Sequence, residues 1–182
     1  MTKTKILLVM CCACCSYLVS AQRSKTALGV SAGYVPEGYA VEASFNYYNN
    51  LTDFIKTGVM VSFSNELLET NIEVPYNNYL VNVGYFTKLV QSPQSGFSAA
   101  LGGGISLGYE YINNGENILS DGSVLLSQSG FVYGLMGGVD LDIFLSSSLS
   151  MFLPANFIYQ FNSDMGNSII YAGLGVRYSF IQ

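Results

Sequence analysis

Eight segments of the chain alternate between large apolar residues and small or polar ones with a period of two. They are Ala27–Tyr34, Tyr39–Tyr48, Phe54–Ser64, Tyr79–Leu89, Phe97–Tyr111, Phe131–Ile143, Leu149–Phe161 and Ile169–Phe180. That period marks β-strands, whose successive side chains point to opposite faces. One face takes mostly Leu, Val, Ile, Ala, Phe and Tyr. The other takes every charged residue in the eight segments: Glu42, Lys56, Lys88, Glu110, Asp140, Asp142 and Arg177. Parity is a two-way choice, so all seven on one named face is a roughly 1-in-128 outcome by chance. A sheet with a greasy face and an ionised face suits a closed cylinder in lipid. At the bilayer midplane a lipid-facing Lys or Arg costs about 2–4 kcal/mol, whereas a lumen tolerates it. The pattern therefore predicts an all-β fold, an eight-stranded antiparallel up-and-down transmembrane β-barrel.

The links between segments support this reading. Asn49–Asp53, Val90–Gly96 and Leu145–Ser148 are short, while Asn65–Asn78 and Ile112–Gly130 are long; Val35–Gly38 and Asn162–Ser168 are intermediate or short, the first of them being brief for an outer loop. Outer-membrane barrels place short turns on the periplasmic side and longer loops outside. Tyr34, Tyr39, Tyr79, Tyr109, Tyr111, Phe131, Tyr133, Tyr159 and Phe161 fall at the ends next to the longer links. Tyr47, Tyr85, Phe97, Tyr178 and Phe180 fall at the opposite ends. Two aromatic girdles at the membrane boundaries are expected of such a barrel.

The N-terminus adds a destination. Lys3 and Lys5 precede an apolar run, Ile6–Val19, and Val19-Ser20-Ala21 ends on a small residue. This is the pattern of a secretory signal peptide, expected to be cleaved after Ala21. The chain then divides into a signal, residues 1–21, and an outer-membrane barrel domain, residues 22–182. Cys14 and Cys15 could mark a lipoprotein signal, but Cys11, Cys12 and Ala13 before them make a poor lipobox. All four cysteines lie within the signal and the chain has no His. Disulfides, thiolate zinc sites and imidazole catalysis are thereby excluded from the mature chain.

With 12 acidic and 7 basic residues in all, loss of Lys3 and Lys5 leaves 5 − 12 = −7. Phosphate-backbone binding needs clustered Lys and Arg, so direct nucleic-acid binding is not expected. No cofactor, metal or small-molecule substrate is expected either. Two sets of residues stand out. The seven inward charges form a candidate lumen cluster, with Lys56, Lys88, Asp140, Asp142 and Arg177 toward the periplasmic half, able to pair as a buried network. An eight-stranded barrel is filled by its side chains, so this network reads as a structural plug rather than a conduction path. Gly29, Gly33, Gly58, Gly84, Gly102, Gly104, Gly108, Gly134, Gly138, Gly173 and Gly175 share the inward parity and leave room for the larger groups. Pro154 has the same parity and signals a bulge or a local break. The second set is an acidic outer-loop face: Glu66, Glu69, Glu73, Glu116 and Asp121, accompanied by Glu37 and Asp164, with no Lys or Arg. Solvated loop charge explains it; cation or basic-partner binding is the alternative.

A more specific pointer lies in the C-terminal 75 or so residues. Gly108-Tyr109-Glu110, Ile112-Asn113, Gly115-Glu116, Leu119, Asp121-Gly122, Phe131-Val132-Tyr133-Gly134, Phe144-Leu145-Ser146 and Gly173-Leu174-Gly175-Val176-Arg177 follow one another in an order and spacing that resembles the TraO family of conjugal transfer proteins, carried by conjugative transposons of Bacteroidetes. The chain departs from the family at Ser147-Ser148, where an acidic and a basic residue are expected. The resemblance implies a non-enzymatic outer-membrane component of a conjugative DNA-transfer apparatus, a structural or docking subunit. Its partners would be outer-membrane lipid and other conjugation proteins. A small adhesin or an envelope-stabilising barrel is the alternative. A lipid-modifying enzyme is disfavoured, because such barrels typically activate a Ser with an imidazole.

Overall fold

The structure, a computed structural model, describes residues 25–67, 73–92, 96–116, 124–125 and 127–180. The expected signal peptide lies outside them. Eight strands follow in chain order: β1 Thr26–Val35, β2 Gly38–Tyr48, β3 Asp53–Leu67, β4 Glu73–Ser92, β5 Phe97–Ile112, β6 Gly130–Phe144, β7 Leu149–Gln160 and β8 Ser168–Phe180. Each pairs antiparallel with its sequence neighbours, and β8 closes on β1, giving a single closed barrel. Closure removes the free edges that an open sheet would present to lipid.

The register fixes the tilt. A walk perpendicular to the strands from Thr26 passes Tyr47, Ile55, Tyr85, Gly103, Gly137, Phe157 and Ile170. Because Tyr34 pairs with Ala172, Ile170 stands opposite position 36, a stagger of 36 − 26 = 10 residues. For eight strands this corresponds to a tilt of roughly 40°. Such a bore is narrow enough for side chains to fill.

Burial alternates as the parity demands. Val30, Val59, Val81, Ile105, Leu135 and Leu174 are exposed on the outer wall, and Ser44, Lys56, Asn82, Ser106, Asp140 and Arg177 are buried in the bore. Tyr34, Tyr39, Tyr79, Tyr109, Phe131, Tyr133, Tyr159 and Phe161 ring the loop end of the outer wall. Tyr47, Tyr85, Tyr178 and Phe180 ring the turn end, where both described termini lie.

Two local features differ from the sequence expectation, and Pro154 realises one of its two expected alternatives. Most of Asn65–Asn78 is ladder rather than loop, since β3 and β4 stay paired from Asn65↔Pro75 to Leu67↔Glu73. Alternation continues into this stretch: Val74 is buried and Tyr76 packs beside it, so extending the strands buries apolar surface. Pro154 produces a break, not a bulge. It pairs with Asp140 on β6, but the β7–β8 ladder lapses between Phe152↔Gly175 and Ala155↔Ala172 without a change of register, because proline has no N–H to offer. The bulge lies instead in β4, where Leu89 is the extra residue between Lys88↔Ala100 and Val90↔Ala99. It leaves Lys88 half-buried and puts Leu89 and Val90 both on the outer wall at the turn end.

Candidate functional site: an ion-paired bore and a capped loop end

Four of the seven inward charges come from the second half of the barrel, Glu110 on β5, Asp140 and Asp142 on β6, and Arg177 on β8; the others sit on β2, β3 and β4. Strand parity aims all of them at the axis, and the closed topology brings them within reach. Lys56 Nζ stands 3.1 Å from Asp140 Oδ1 and 3.5 Å from Glu42 Oε1. Arg177 Nη2 donates to Asp140 Oδ2 at 2.6 Å, and Nη1 donates to Asp142 at 2.6 and 2.7 Å. Ser150 donates its hydroxyl to the same Asp142. Glu42, Lys56, Asp140, Arg177 and Asp142 thus form one connected chain across the bore, all buried. Lys88 makes no ion pair within 4 Å among the described residues. It lies at the turn-end mouth with its ammonium 4.8 Å from the Tyr48 ring centroid.

These six residues carry three carboxylates and three cations, so the lower bore is charge-balanced. Balance matters because an unpaired buried charge costs several kcal/mol.

Glu110 departs from the expected cluster. It lies buried near the loop end, where it accepts hydrogen bonds from Ser163 Oγ at 2.9 and 3.1 Å and from the Asp164 backbone N–H at 3.3 Å. The reason is register: Glu110 pairs with Asn78 and Gly130 at the far end of β5, well above Asp140, which pairs with Ala100.

Large inward rings complete the packing, and the expectation of an inner face made of glycine and charge omitted them. Phe54, Phe86, Phe152 and Tyr171 are all buried. Phe54 stacks on Phe86 with centroids 5.5 Å apart. Each cation of the lower bore faces a ring: Lys56 is 5.6 Å from the Phe86 centroid and Arg177 is 4.1 Å from that of Phe152. Such contacts contribute about 0.5–2 kcal/mol each, more when desolvated. Glycines admit these rings. A Cβ at Gly29 would sit 3.1 Å from the Phe152 ring, and one at Gly102 would overlap Phe86. The signal was present in the chain, because Phe54 and Phe86 share the parity of Lys56 and Lys88.

The loop end is closed by a separate device. Val74, Ile112, Leu125 and Met165 form an apolar cluster with Tyr76 packed against it. Hydrogen bonds stitch the surrounding loops together. Ser129 Oγ bonds both N–H and C=O of Ile112, and the Gln128 N–H donates to Asp164. Asn162 accepts from the Tyr133 N–H and donates to the Phe131 carbonyl. Glu37, Glu116 and Asp164 are exposed around this cap. Glu66 and Glu73 occupy the paired loop-end tips of β3 and β4, and Glu69 and Asp121 lie outside the described residues. Among the described residues no group of three or more His, Cys, Asp or Glu side chains is placed to hold a metal ion.

The architecture is shared with small outer-membrane barrels. A major outer membrane protein from Thermus thermophilus superposes with a TM-score of 0.62 at 14% identity, covering 86% of this chain and 99% of that one. Neisserial surface protein A gives 0.61 at 16% identity, covering 86% and 98%. The N-terminal β-barrel domain of Pseudomonas aeruginosa OprF gives 0.58 at 13% identity, covering 85% and 96%. Identities this low establish the fold and nothing finer. No curated protein matches the sequence. The family model described as conjugative transposon protein TraO matches residues 22–180. The chain therefore belongs to the TraO family of conjugative transposon proteins.

Proposed function

We propose that this protein is a non-enzymatic outer-membrane subunit of a conjugative DNA-transfer apparatus, serving as a structural or docking component. The observation that carries the reading is the family match over residues 22–180 on a closed barrel with a lipid-compatible outer wall. Among the described residues the bore is occupied by ion pairs, stacked rings and an apolar cap, which supports a structural rather than a catalytic reading. The absence of His from the sequence removes the usual base. The acidic residues around the capped loop end suit contact with a basic protein surface or with cations at lipid head groups, rather than with nucleic acid. Partners in this reading are outer-membrane lipid and other proteins of the transfer machine.

The test is an in-frame deletion in a donor strain. Transfer frequency should fall and recover on complementation, and the protein should fractionate with the outer membrane. Unchanged transfer frequency would reject the role in conjugation. Recovery of acyl-chain release or transfer by the purified barrel would reject its non-enzymatic part.

A further inference from the structure

Midway along the bore, between the ion-paired layer and the apolar layer above it, several buried polar side chains point inward with hydrogen-bonding atoms unmatched among the described residues. Both carboxylate oxygens of Glu42, both amide atoms of Asn82, both amide atoms of Asn156 and the hydroxyl of Ser44 lack a hydrogen-bond partner among the described residues. These residues are 1–3% exposed. Glu42 keeps only the long 3.5 Å contact to Lys56.

The register places these groups at one level of the bore. Glu42 Oε1 lies 2.7 Å from where a Cβ on Gly58 would stand, and Gly58 pairs with Asn82. Across the barrel, Asn156 pairs with Gly138, and its Oδ1 occupies the space of the missing Cβ there. Lys56, reaching from Glu42 to Asp140 on β6, spans the floor between the two walls. One inward position further toward the loop end, every strand of this set turns apolar: Ala40 after Glu42, Met60 after Gly58, Leu80 after Asn82, Met136 after Gly138 and Ile158 after Asn156. All five belong to one buried cluster. This level of the bore thus has charged residues below it, apolar residues above it and glycines beside it.

We infer that this level of the bore is a binding site for a cluster of ordered water molecules linking Glu42, Asn82, Asn156 and Ser44. Buried polar atoms are almost always satisfied, and a buried water makes about three hydrogen bonds to such atoms. The chemistry selects water over a cation. At Asn82 and Asn156 the donor nitrogen is as unpartnered as the acceptor oxygen, so the occupant must both accept and donate. A metal ion satisfies only oxygens, and Lys56 at the floor opposes it. Met60, Leu80, Met136 and Ile158, buried and apolar, stand between this site and the loop end.

The test uses the full barrel, refolded in detergent micelles with 15N-labelled asparagine. Magnetisation transfer from long-lived water to the side-chain amide protons of Asn82 and Asn156 should be seen. Asn82→Leu, which removes one member of the cluster, should reduce transfer at Asn156, and a Glu42→Gln variant, which keeps an acceptor oxygen and adds a donor, should retain it. Absence of transfer in the wild-type protein overturns the inference, and that measurement needs no variant to fold. A stoichiometric metal ion surviving exhaustive dialysis, detected by elemental analysis, also overturns it.

Discussion

Arg177, three residues before the end of the last strand, and Asp140, on β6, meet at 2.6 Å in the centre of the bore. Asp140 also receives Lys56 from the opposite wall, so one carboxylate ties three strands that are not neighbours in the sheet. Replacing it uncovers two buried cations at once. Asp140→Asn should destabilise the folded barrel by about 3–5 kcal/mol, read from urea unfolding in detergent. Pairing Asp140→Leu with Arg177→Met should cost clearly less than the sum of the single changes. Additive costs would show that the 2.6 Å contact carries no coupling.

Lys88 supplies the contrast. It is half-buried, faces Tyr48 and has no ion pair among the described residues. Lys88→Met should therefore cost about 1 kcal/mol or less, the scale of one exposed cation–π contact. Lys56→Met should cost several times more in the same unfolding assay, because it leaves Glu42 and Asp140 under-compensated.

The rings and glycines of the lower bore should be reciprocal. Phe86→Ala should cost about 3–5 kcal/mol through the cavity it leaves. Gly29→Ala should be destabilising alone, since its Cβ would stand 2.8 Å from Ser44 Oγ and 3.1 Å from the far edge of the Phe152 ring, yet be better tolerated in a Phe152→Leu background. Heat-modifiability on gels reports both. Equal damage in the two backgrounds would remove the steric account.

Parity itself is testable on β3. Val59 is exposed on the outer wall and Gly58 beside it faces the bore. Val59→Arg should cost about 2–4 kcal/mol when the barrel is refolded into bilayers. The penalty should shrink for Thr57→Arg, one outward position nearer the turn end. An indifferent Val59→Arg would mean that this wall does not face hydrocarbon.

At the loop end, Glu110 anchors Ser163 and Asp164. Glu110→Ala should cost about 1–3 kcal/mol by leaving those donors unpaired, and should speed proteinase K cleavage near Ser163 while leaving the barrel core protected. Trypsin cannot serve, as the loop-end links contain no Lys or Arg. Unaltered cleavage would show that the cap is held by its apolar contacts alone.

Alternation along the chain determined a great deal. Period two identified eight strands, assigned Lys56 and Arg177 to the interior and Val59 and Leu135 to the wall, and thereby implied a closed cylinder in lipid. This is legible because the side-chain direction in a strand is a strictly local property, and lipid punishes any lapse in it. Which inward residues meet was decided only by the tertiary structure. A stagger of ten residues across eight strands sets the height at which each side chain enters the bore. That stagger joins Asp140 to Lys56 and Arg177 but lifts Glu110 away to Ser163. It also brings Glu42, Asn82 and Asn156 to one level of the bore. Stagger is a sum over all eight pairings, shifted by a single bulge at Leu89 and fixed only when β8 meets β1. No segment read by itself contains it.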